Sequence, residues 1–112
     1  MEFKEYQKIA GETDFEELQP LSSIKFISIL LGVVGEAGEI AEKFKKIYRD
    51  RDAIITEEDK TAIKRELGDI LWYVNSLGRH LGFTLEEIAK TNLEKLADRR
   101  KRNVIRGNGD NR

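Results

Sequence analysis

The chain has 112 residues and no cysteine, and its 20 Lys and Arg nearly cancel its 21 Asp and Glu. That excludes a disulfide framework and a thiolate metal site, and the balanced charge gives no sign of general nucleic-acid binding. One domain is the default at this length. No apolar run reaches the roughly 18 residues a membrane span needs. The polar start Met1-Glu2-Phe3-Lys4-Glu5 has no signal-peptide pattern, so a soluble cytoplasmic protein is expected.

Phe3, Tyr6, Ile9 and Ala10 share one helical face, and the first helix should end near Gly11. Asp14-Phe15-Glu16-Glu17 offers a cap for a further short turn. Pro20, the single proline, breaks the pattern, and Ser22 or Ser23 can cap the second helix. From about Leu21 to Tyr48 the apolar residues are dense, including Ile24, Ile27, Leu30, Leu31, Val34, Ile40, Phe44 and Ile47. Ile27 to Val34 also suits a buried strand, but the helical period runs on unbroken into Phe44 and favours a long helix. Its first half is apolar nearly all round and should be deeply buried. Gly32, Gly35 and Gly38 each weaken that helix by about 1 kcal/mol relative to Ala, a spacing that usually lets another backbone approach.

Arg49 to Ile55 reads as a hairpin loop. Thr56, with Asp59 three residues on, caps a third helix through Ile63, Leu67, Ile70, Leu71, Val74, Leu77 and Leu81, and Gly82 ends it. Thr84 and Glu87 form a full capping box for a fourth helix with Leu85, Ile88, Ala89, Leu93 and Leu96 on its apolar face. The basic run Arg99-Arg100-Lys101-Arg102 suits the negative end of its dipole. Residues 103–112 read as irregular. The fold class is therefore all-α, a four-helix bundle-like arrangement on a long antiparallel hairpin. Residues 1–104 form the domain and 105–112 the tail.

Two acidic pairs stand out, Glu36 with Glu39 and Glu66 with Asp69, each three residues apart within apolar helix. Residues at i and i+3 lie on one helical face. Glu39 and Glu66, and likewise Glu36 and Asp69, are placed symmetrically about residue 52, inside the hairpin loop. Folding there brings Glu39 level with Glu66 and Glu36 level with Asp69. Four carboxylates at low dielectric repel and raise one another's pKa. Lys43 and Lys46 offer compensation, but hard divalent cations do it better, because oxygen ligands suit Mg²⁺. A Mg²⁺ site in a small helical bundle suggests phosphoryl chemistry. A di-iron site needs Glu-x-x-His motifs, and the single histidine, His80, is not in that spacing.

Glu36-x-x-Glu39, a spacer of 26 residues and Glu66-x-x-Asp69, in the setting Gly35-Glu36-Ala37-Gly38-Glu39, resemble the signature of the MazG-like nucleoside triphosphate pyrophosphohydrolases. The similarity runs from Tyr6 to the tail. It implies Mg²⁺-dependent cleavage, with Mn²⁺ able to substitute, of a nucleoside triphosphate to monophosphate and pyrophosphate. Glu36, Glu39, Glu66 and Asp69 would then be the metal-holding, catalytic acids. The family pattern also implies substrate contacts at Tyr73 and along Asn92, Lys95 and Arg99, with Lys46 a further phosphate candidate. On the residues alone, Tyr73 is equally a core tyrosine, Lys46 a surface lysine, and the helix-four row a solvated stripe. Trp72 is a stacking candidate or a packing residue. The tail Gly107-Asn108-Gly109-Asp110-Asn111-Arg112 resembles endings of such proteins but by itself reads as disordered. The apolar load of the second helix leads us to expect a homodimer or dimer of dimers, with no membrane or nucleic-acid partner. The rivals are a non-catalytic helical interaction or assembly module, and a regulatory nucleotide-binding protein.

Overall fold

The computed structural model describes residues 1–14 and 18–112. Four helices follow in order, α1 (Phe3–Gly11), α2 (Ile24–Asp50), α3 (Glu57–Leu81) and α4 (Leu85–Lys101), with no strand among the described residues. Each boundary has a local cause. Ser23 Oγ accepts the Phe26 amide at 3.1 Å and opens α2. Thr56 and Asp59 form a complete capping box, and Arg51 reaches Asp59 at 2.7 Å, so the hairpin turn is tied to the start of α3. Gly82 closes α3 at φ 79°, a left-handed conformation that costs glycine little. Thr84 and Glu87 box the start of α4. The expected turn at residues 14–17 lies mostly outside the described residues.

The hairpin of α2 and α3 is the frame, and α1 packs on α3 and α4. The chain before α2 is fastened to α3 by polar side chains. Trp72 Nε1 donates to Thr13 Oγ1 at 2.8 Å, while Ser76 Oγ and Arg79 Nη2 donate to Asp14 Oδ2 at 2.7 and 2.8 Å. On the other side of α1, Gln7 Oε1 accepts the Leu85 amide at 3.0 Å.

The first half of α2 departs from expectation: of its apolar residues only Ile29 is buried. Leu31 and Val34 are 61 % and 65 % exposed, and Ile24, Ile27 and Leu30 are exposed too. The reason is topological, since among the described residues α2 packs against α3 alone. Gly35 and Gly38 likewise meet open space rather than another backbone, and only Gly32 serves a close approach. There the ring of Tyr73 lies where a Cβ would stand. The accessible surface is 8752 Å², about 2,400 Å² above that of a compact monomer of this mass. The radius of gyration is 17.0 Å against about 13 Å for a compact domain of this length.

Candidate active site

Midway along the hairpin, the carboxylates of Glu36, Glu66 and Asp69 place ligand oxygens within 4.8 Å of one another. Glu36 comes from α2 and the other two from successive turns of α3, so the pairing of α2 with α3 builds the cluster. Glu36 and Glu66 are half-buried and Asp69 is exposed. The Glu36 carboxyl is pushed up from the usual glutamate range, first by desolvation, then by the Asp69 charge, a hydrogen bond to Glu66 and the charges of Glu66 and Glu39. Asp69, after desolvation, also raises the Tyr6 phenol from α1. Lys43 Nζ meets Glu66 at 3.0 Å, and it is the compensating cation, whereas Lys46 is exposed and lies 4.0 Å from Glu42.

Of the four acids that the spacing suggests, the structure brings the ligand oxygens of three together. Glu39 is exposed, and its carboxylate falls outside the convergent group, although its charge still reaches Glu36. Three residues advance a helix by about 300°, so Glu39 sits about 60° round α2 from Glu36. The donors that do converge are all carboxylate oxygens, the set that suits a hard divalent cation such as Mg²⁺.

Tyr73 lies one turn beyond Asp69 and packs its ring over Gly32, with Trp72 edge-on to it at a centroid distance of 5.1 Å. Asn92 is exposed on α4. Lys95 and Arg99 are engaged by the tail: Lys95 Nζ meets Asp110 Oδ1 at 3.1 Å, and Arg99 Nη2 donates to the Asp110 main-chain oxygen at 2.8 Å. Arg99 is 6 % exposed, and its Nε is buried without a hydrogen-bond partner among the described residues. The tail is irregular but held, because the Arg112 guanidinium donates to the carbonyls of Val104, Ile105 and Gly109. Sequence reasoning missed the roles of Tyr6, Asp14 and Asp110. A buried face of α1 predicts the first; no local pattern marks the other two.

The described residues thus form a helical hairpin on which the carboxylates of Glu36, Glu66 and Asp69 converge, a donor set able to hold a hard divalent cation. The comparison with protein families agrees: the MazG nucleotide pyrophosphohydrolase domain matches residues 25–104. The chain belongs to that family. It is also 45 % identical over 102 residues to the Gene 37 protein of Mycobacterium phage L5, covering 91 % of this chain and 85 % of that protein. No solved structure matches the chain. Among the described residues no helix is long and apolar enough to cross a membrane.

Proposed function

We propose that this protein hydrolyses nucleoside triphosphates, deoxynucleotides or non-standard nucleotides among them, to monophosphate and pyrophosphate with Mg²⁺, Mn²⁺ substituting. The observation that carries this reading is the convergence of Glu36, Glu66 and Asp69 with Glu36 held above its ordinary range. These three acids would hold the cation, with Glu39 at the rim as the fourth member. Bound Mg²⁺ supplies charge neutralisation on the phosphates and lowers the pKa of water. The chain's own groups do the rest. A motif carboxylate accepts the proton of the attacking water. Tyr73 borders the nucleoside end of the site. Lys46, Asn92, Lys95 and Arg99 offer polar and cationic contacts to sugar and phosphates. Lys43 keeps Glu66 in place.

A homodimer or dimer of dimers would cover the exposed row on α2. The excess surface of about 2,400 Å² per chain is what a large, obligate interface removes from each partner. Residues 1–104 act as the domain with 105–112 as its tail, and a cytoplasmic location fits an intracellular nucleotide substrate. The deciding experiment is incubation of a nucleoside triphosphate panel with Mg²⁺ and chromatography of the products. Monophosphate and pyrophosphate are expected; diphosphate and orthophosphate as main products overturn the reading. One observation favours a structural rival, an assembly module: the Lys43–Glu66 ion pair at 3.0 Å. That rival requires unchanged oligomerisation in chelator and no hydrolysis of any triphosphate.

A further inference from the structure

A second concavity lies on the side of the acids away from the hairpin turn. It is lined by Asp14, Lys25, Ser28, Ile29, Trp72 and Tyr73 and measures about 220 Å³. That is below the roughly 300–1,000 Å³ of a site for a whole drug-sized ligand, and suits the ring portion of a ligand anchored elsewhere. Ile29 precedes Glu36 by seven residues, about 10 Å along α2. Tyr73 follows Asp69 by one turn of α3. Both helices therefore lead from the carboxylates to the cavity in the same direction. A triphosphate held at the acids places its nucleoside there.

The polar atoms around the cavity are unequal in kind: Lys25, engaged by a partner of its own, and the Tyr73 hydroxyl bring donors to its wall. Trp72 Nε1 is spent on Thr13, and Arg79 Nη2 behind the wall is spent on Asp14. Ser28 Oγ gives its proton to the Ile24 carbonyl at 3.1 Å, so its lone pairs face outward as acceptors. The described hydrogen bonds to Asp14 both end on Oδ2 and leave Oδ1 as an acceptor. The Asp14 side chain is only 3 % exposed. Trp72 and Tyr73, nearly perpendicular at 86°, supply aromatic surfaces on which a base can stack.

We propose that this cavity is the base site and that Asp14 selects bases with an amino group at pyrimidine C4 or purine C6, cytosine and adenine, over bases with a carbonyl at that position, uracil, thymine, hypoxanthine and guanine. An amino group donates to the Asp14 carboxylate, whereas a carbonyl brings an acceptor against an acceptor. A site that hydrogen-bonds one group rejects the analogue lacking it, because its own buried polar atom is left unpaired. The proposal rests on the reading that the neighbouring acids hold the triphosphate.

The test uses the single tryptophan of the chain, Trp72, as its reporter. The α,β-imido analogues of dCTP and dUTP, which resist cleavage between the α and β phosphates, are titrated with Mg²⁺ while Trp72 emission is followed. The dCTP analogue is expected to bind at least about tenfold more tightly, and dATP and dITP analogues should differ in the same direction. Equal binding within both pairs, or preference for the carbonyl bases, overturns the proposal. Asp14→Asn presents an amide N–H and should bring the dCTP to dUTP ratio close to one. A variant that melts as a folded protein and keeps the wild-type ratio overturns it as well. Asp14 also anchors Arg79, so the wild-type comparison is decisive even where the variant does not fold. Binding selectivity without pyrophosphate release from cleavable dCTP leaves the base site standing and removes the hydrolase reading. Cleavage of dCTP and dUTP with equal binding does the reverse.

Discussion

The hairpin and the tail treat charge in opposite ways. On the hairpin, three carboxylates converge with one lysine among them, and Glu36 is raised first by desolvation and then by its acidic neighbours. At the tail, Lys95 and Arg99 meet Asp110, and Arg102 meets Asp98, and both aspartates are lowered by those partners. The tail cluster pairs each charge with an opposite one, in the manner of a clasp. The hairpin cluster is left in excess of one sign in the middle of an otherwise well-capped pair of helices. Where a chain keeps local repulsion that a single substitution would relieve, the repulsion points to a ligand that removes it.

The largest effect should come from breaking the hairpin cluster. Glu66→Gln and Asp69→Asn should lower turnover by more than the roughly 10–100-fold that changes to outer-shell partners of metal ligands cost. Glu36→Gln should lower it similarly and yet melt no lower than wild type in chelator, because it removes repulsion, and it should gain less from added Mg²⁺. A Glu36→Gln protein that melts far below wild type in chelator while retaining turnover contradicts the ligand role. Next comes the helix spacing that brings the acids together. Gly32→Ala sets a methyl group against the Tyr73 ring, and overpacking of this kind costs about 1–3 kcal/mol, set against about 1 kcal/mol of helix propensity. A lowered urea midpoint together with lowered activity is expected; a raised midpoint would show that Tyr73 is not confined.

A smaller effect belongs to the turn that fixes the hairpin. Asp59 is held well below the usual carboxylate range, first by Arg51 and then by the Thr56 amide. A depressed carboxyl stabilises the fold above its unfolded pKa of about 3.9 and loses that contribution as pH falls toward the folded value. The melting difference between wild type and Asp59→Asn should therefore be larger at pH 7 than at pH 3; a difference that grows on acidification refutes the assignment. The smallest effect is expected at the clasp. Asp110 is 82 % exposed on its side chain, and exposed ion pairs are weak and screened by salt. Asp110→Asn should shift melting little, and a large loss would mean that the tail supports the fold.

The local features were legible in the sequence. Ser23, Thr56, Thr84 and Gly82 act where their spacing says they should, because caps depend on residues three or four positions apart. The two acidic pairs were equally plain, and so was the hairpin that faces them. Tertiary structure decided the rest. It brought the ligand oxygens of Glu36, Glu66 and Asp69 together and left Glu39 exposed outside that group. It joined Asp14 to Ser76 and Arg79 across more than sixty residues, and Asp110 to Arg99, pairings that no periodicity encodes. It also left the apolar row of α2 uncovered, although its composition alone predicts burial. Hydrophobic pattern says that a face must be covered; only packing says by what.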